Sequence, residues 1–195
     1  MLYLTVIAVS ILLTTAANLA FSLPHTAPEA LIMLLNVTLS ASSAFAIDGI
    51  LAIIIRRLTP EKWYSHGRPL FKVSKKERDL YNKMKIKHWK DYIPELGGFT
   101  SFHKDSLGDM NDEKHLSRFI IEANFGIVIH AVNAFLGFLV MLLPFSSSPS
   151  IWIPVFAVNF ILSILPIFVL RYVSYTLQRL YERTKSNGQK HPVAH

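Results

Sequence analysis

Arg118–Pro144 reads RFIIEANFGIVIHAVNAFLGFLVMLLP. The run exceeds the roughly 20 apolar residues that a helix needs to cross a bilayer. It nevertheless carries Glu122, Asn124, His130 and Asn133. An ionisable group in hydrocarbon is costly, so by default it marks a functional site or a buried polar pairing. Glu122 and His130 are eight residues apart, about 12 Å along a helix axis and slightly more than two turns. Both can therefore face one side of a helix bundle.

The rest of the chain fits a membrane setting. Its 195 residues are 51% hydrophobic with a mean hydropathy of +0.35, and the apolar residues are gathered into long runs. The absence of cysteine removes disulfides, thiolate metal sites and a cysteine nucleophile. A formal charge of +7 beside four apolar runs points to anionic lipid or an anionic substrate, with no nucleic acid partner.

The expected fold class is an all-α integral membrane protein with four transmembrane helices and a cytoplasmic helical insert between the second and third. Leu2–Leu23 reads as a retained transmembrane helix, since no Lys or Arg precedes it and its apolar core is long for a signal peptide. Pro24 and Pro28 make a turn. Ala30–Ile55 is the second span, with small residues at Ser40–Ser43 and a carboxylate at Asp48. Pro144 and Ser146–Ser148 turn into the fourth span, Ile151–Leu170, with a kink expected near Pro166 and an amphipathic continuation over Arg171–Lys185. Residues 1–195 read as one membrane domain, 57–117 as a cytoplasmic or interfacial insert, and 186–195 as a disordered tail.

The insert carries helix signals. Thr59-Pro60 reads as a cap and first helical residue. Ser74-Lys75-Lys76-Glu77 matches a capping box, so a helix is expected from Lys75 to about Lys90. Leu80, Tyr81, Met84 and His88 form its apolar stripe among lysines, a pattern suited to the membrane interface. Pro94 and Gly97-Gly98 end it, Phe99–Glu113 reads as irregular, and Asp112 as a cap for the third span.

Fifteen of the twenty Lys and Arg residues lie from Arg56 through Arg118 and the other five from Arg171 onward. Under the positive-inside rule both termini and the insert are then cytoplasmic, in a multi-pass protein of the cell membrane. Counting inward from the charged ends puts Asp48, His130 and Asn159 about 12, 18 and 18 Å deep, and Glu122 about 6 Å. Three helices would each offer a hydrogen-bonding group at similar depth below a basic vestibule.

No P-loop, Rossmann glycine pattern, HExxH or His-x4-Asp acyltransferase box occurs, and no metal site is expected. One constellation is more specific. Tyr81–Glu95, YNKMKIKHWKDYIPE, is a basic helix leading into Trp89-Lys90-Asp91 and Pro94, followed by Gly97, Gly98, Phe99, Phe102 and Lys104. It resembles the signature of the glycosyl-diaponeurosporenoate acyltransferase family, which acts late in staphyloxanthin-type carotenoid synthesis. In that family a membrane helix opens with glutamate and carries histidine eight residues on, as Glu122 and His130 do. An Arg-Tyr pair closes the last membrane helix, matched by Arg171-Tyr172. The resemblance spans roughly Tyr81–Leu180.

It implies transfer of a fatty acyl group from a cytoplasmic donor, acyl-CoA, to a hydroxyl of a glycosylated lipid or carotenoid, with no further cofactor. His130 would be the general base, oriented by Glu122 or Asp48. His88, Trp89, Lys90, Asp91, Asn159, Arg171 and Tyr172 would bind substrate, several of them around the donor's head group. The implied partners are membrane lipids, a lipid-like acceptor and the acyl donor. Two other readings stay open: another membrane enzyme on lipid or isoprenoid substrates, such as a methyltransferase or reductase, and a non-enzymatic lipid-binding protein.

Overall fold

Each apolar run becomes a helix. The computed structural model describes residues 2–21, 26–93 and 113–190, and among these every regular element is helical. The four long helices are α1 (Leu2–Phe21), α2 (Ala27–Leu58), α5 (Glu113–Leu136) and α6 (Pro149–Lys190). All four are long and apolar enough to cross a membrane. Two short helices, α3 (Lys75–Lys83) and α4 (Ile86–Trp89), lie in the insert. Helix α2 starts earlier than the apolar run because Glu29 accepts a hydrogen bond from the Thr26 backbone N–H, which fixes its first turn. It ends on Arg56 and Arg57, cations suited to a helix C-terminus. Helix α6 is continuous through Pro154 and Pro166 and reaches Lys190, so residues 186–190 of the expected tail are helical. Residues 191–195 lie outside the described residues, as do Pro94, Gly97-Gly98, Phe99 through Asp112 and the motif residues among them.

The chain forms two compact units. The first comprises Met1–Ile55 and Ile129–Leu165. Ala44, Val140 and Val155 form a buried cluster there, with Leu143 and Trp152 against it. Asn18 is buried and donates to the carbonyls of Thr14 and Ser150, which ties α1 to the start of α6. Leu12, Leu13, Leu31, Leu35 and Ile50 are exposed large apolar side chains, the face expected of helices that meet lipid.

The second unit comprises Arg56–Val128 and Pro166–His195. Leu116 and Ile120 of α5 pack with Leu177 of α6, flanked by Phe119, Val173 and Leu180. The insert runs through two 3-10 turns, Glu61–Tyr64 and Pro69–Phe71, before α3. Thr59-Pro60 therefore opens only a single short turn, and the Thr59 hydroxyl bonds the Tyr64 hydroxyl at 2.8 Å. The Tyr64 ring stacks on Phe125 at 3.7 Å, and Asn124 donates to the Tyr64 carbonyl at 2.7 Å.

The expected Lys75–Lys90 helix is broken. Lys85 sits in the left-handed region (φ 54), so α3 stops and α4 begins on a new axis. Trp89 supplies the reason, because its indole N–H donates to the Met84 carbonyl, which the helix end leaves without a partner. The capping box forms: the Ser74 hydroxyl accepts from the Glu77 N–H, and the Glu77 carboxylate bonds the Ser74 backbone N–H. The same carboxylate accepts from Nε and Nη2 of Arg171 on α6 and from the Tyr81 hydroxyl. The forked charge-assisted pair to Arg171 is the stronger of these contacts.

The Arg171 hydrogen bonds hold the Glu77 carboxyl below its usual 4.5. A depressed carboxylate contributes stability that is present above its unfolded value and lost as pH falls through the folded one. Glu77→Gln should cost about 2 kcal/mol locally, read as at least about tenfold faster amide hydrogen exchange in α3 at pH 7. Protection of wild-type α3, corrected for intrinsic rates, should decline below pH 4.5 and that of the variant should not. Equal protection at pH 7 would show that the pair does not hold the insert.

Candidate active site

His130 lies on the part of α5 that belongs to the first unit and is half-buried. It has no hydrogen-bond partner among the described residues. In the same unit Asp48 of α2 accepts from the Asn159 amide of α6 at 3.3 Å. Asn159 in turn abuts Gly137: a Cβ added there would stand 2.5 Å from its Nδ2. Gly137 is seven residues beyond His130, nearly the same helix face but about 10 Å further along the axis. Asp48 and Asn159 therefore meet at the level of Gly137, and not level with His130 as counting from charged ends expects. The count treats Arg118 and Arg171 as marks of one level. Arg118 is already a turn inside α5, and α6 runs on well past Arg171.

In the second unit Glu122 accepts a hydrogen bond from Arg56 at 2.7 Å and forms an ion pair with Arg118 at 3.0 Å. Arg118 also reaches Glu61, and the Arg56 guanidinium lies 5.2 Å from the Phe125 ring centre. Glu122 thus gathers two guanidinium groups between the end of α2 and the first turns of α5. The carboxylate expected to orient His130 is committed elsewhere in both candidates, Glu122 to arginines and Asp48 to an amide.

The expected donor-binding residues are largely structural in their contacts. Arg171 spends its donors on Glu77 and on the carbonyls of Leu70 and Lys72. Tyr172 is buried, with the Arg78 guanidinium 3.8 Å over its ring and donating to its carbonyl. Trp89 closes the α3–α4 turn, Lys90 pairs with Asp91 at 2.6 Å, and His88 is exposed. Among the described residues no group of three or more His, Asp or Glu side chains could hold a metal ion.

The structure brings Asp48 and Asn159 together, and Arg171 and Tyr172 onto the same docked helix. It adds Glu77, Arg78 and Gly137, which the sequence reading left out of the site. Arg171 carried the missing signal: a guanidinium at the end of an apolar run needs a carboxylate, and Glu77 was already assigned to a cap. Gly137→Ala should drive the Asn159 amide off Asp48 and cost about 1–3 kcal/mol, the range for overpacking. Asn159→Ser in the same chain should recover part of the loss, with thermal unfolding in detergent as the measurement. An unchanged melting temperature for Gly137→Ala would mean that the contact is not tight.

The profile of the glycosyl-4,4'-diaponeurosporenoate acyltransferase family matches residues 60–183, a stretch that takes in α3 through most of α6. Searches of curated proteins and of solved structures return no match. With well over half of its length matched, the chain belongs to the glycosyl-4,4'-diaponeurosporenoate acyltransferase family.

Proposed function

We propose that the protein is an integral-membrane acyltransferase of carotenoid biosynthesis. It moves a fatty acyl group from acyl-CoA, approaching from the cytoplasm, to a hydroxyl of a glycosylated carotenoid. The observation that carries the reading is His130 on an apolar family helix, half-buried and without a protein hydrogen-bond partner among the described residues. An imidazole left uncommitted in such a run keeps a ring nitrogen for a substrate hydroxyl.

In the proposed reaction the hydroxyl oxygen attacks the thioester carbonyl while His130 takes the hydroxyl proton. The tetrahedral oxyanion collapses, the carbon–sulfur bond breaks, and the imidazolium returns the proton to the thiolate leaving group. The products are the ester and free CoA. Glu122 would act as a positioning residue by holding Arg56 and Arg118, and Asp48 with Asn159 would give the acceptor a polar wall. The insert, with both termini, would face the cytoplasm, which puts most of the basic residues on the side from which a polyanionic donor comes.

His130→Gln keeps size and hydrogen bonding but cannot act as a base. In the purified protein assayed with acyl-CoA and a glycosylated carotenoid, it should lose about 100-fold or more in kcat with insertion unchanged. Near wild-type transfer by that variant would reject the base role. For the topology, Ser186→Cys should react with an impermeant maleimide only from the cytoplasmic side and Ser147→Cys only from the other. Labelling of both from one side would reject four spans with cytoplasmic termini.

A further inference from the structure

As the insert advances, its partners on α6 recede toward the apolar run. Gln178 donates to the Phe71 carbonyl, Arg78 lies over the rings of Tyr175 and Tyr172, and the Tyr81 ring lies 6.2 Å from Phe168. Phe168 falls inside Ile151–Leu170, the stretch without charge. The α3 helix therefore descends along α6, and its end at Met84 reaches a level where α6 itself is apolar.

The face it uses for docking is Glu77, Arg78 and Tyr81. A neighbouring stripe at helical spacing, Lys76, Leu80, Lys83 and Met84, is left open. Leu80 is 54% exposed and Met84 38% exposed. Beyond them α3 ends at the left-handed Lys85, so Lys83, Lys85 and Lys87 lie around the same tip, all exposed. Neither these three nor Lys76 has an ion-pair partner among the described residues. Two apolar side chains ringed by unpaired lysines, at the level where a crossing helix turns apolar, is the chemistry of a headgroup boundary.

We infer that the α3–α4 tip is an anionic-lipid contact: Leu80 and Met84 enter the acyl boundary while Lys83, Lys85 and Lys87 hold the acidic headgroups of the bilayer. Each lysine near an anionic surface is worth about fivefold in partition, so three of them select strongly against zwitterionic lipid. The inference does not depend on the acyltransferase reading.

The cysteine-free chain makes the test direct. Met84→Cys and Leu80→Cys, labelled with bimane and reconstituted as full-length protein in vesicles, report contact with brominated lipid. Asn82→Cys, exposed and about 160° round α3 from Leu80, is the control. Brominated phosphatidylglycerol should quench positions 80 and 84 about twofold or more above brominated phosphatidylcholine at equal mole fraction. Position 82 should be quenched by neither. Changing Lys83, Lys85 and Lys87 to Gln should equalise the two lipids while quenching by phosphatidylcholine persists, which shows that the tip is still in place. Single Lys83→Gln and Lys87→Gln changes should give part of that effect. No quenching at 80 and 84, equal quenching by both lipids in the parent, or a preference that survives the lysine changes would each overturn the inference.

Discussion

The organisation of the second unit depends on one ion pair, Arg171 with Glu77. A guanidinium at the end of an apolar run cannot be left without acceptors, because the cost of a bare charge at a membrane boundary is high. Arg171 meets that demand with a fork to Glu77 and with the carbonyls of Leu70 and Lys72. The same contacts fix the chain from Leu70 to Glu77 along α6. Arg78 is then delivered over Tyr172, and Tyr81 against Phe168. A single charge placed by the membrane helix thus dictates where an insert of low hydrophobicity must lie.

The first unit obeys the same constraint from inside the apolar region. Where water is scarce, each polar side chain must find a partner in the protein. Asn18 finds the Ser150 carbonyl, and Asp48 finds Asn159. His130 finds none among the described residues. Some neutral groups are also unsatisfied, Thr15 Oγ1 and Asn133 Oδ1 among them, so an unpaired atom alone is no sign of chemistry. What separates His130 is that an imidazole nitrogen can serve as a base toward a hydroxyl, and the hydroxyl and amide cannot.

Much of the fold was legible because hydropathy is a long-range signal. Four runs of about 20 residues can hardly be read otherwise, and the helices follow them to within a few residues at most ends. The insert was legible only in part. The Ser74 cap was readable from four residues, whereas the break at Lys85 was not, since lysine carries no local signal for a left-handed turn. That break depends on Trp89 reaching back to Met84, a contact that exists only once the chain has turned. In the site, residue types were legible and pairings were not. Asp48 and Asn159 were chosen for their chemistry, but their depth relative to His130 depends on where each helix starts. Charged residues mark those starts poorly when they are themselves paired inside the helix.

The family signature itself takes on a physical meaning. Among the residues that carry the resemblance are Trp89, Lys90, Asp91, Arg171 and Tyr172. Trp89 closes a turn, Lys90 and Asp91 pair with each other, and Arg171 and Tyr172 receive the descending insert. A sequence pattern of this kind records how a polar segment is locked to a membrane helix, and only indirectly which bond is made. Chemistry then has to be sought among groups that the locking leaves free. Arg171 is removed from that set by its own hydrogen bonds to Glu77 and to the carbonyls of Leu70 and Lys72. His130 stays in it, because nothing in the folding of its helix uses the imidazole. The division between residues spent on the fold and residues left over is what favours the histidine, and not the more conspicuous arginine, as the base of the proposed reaction.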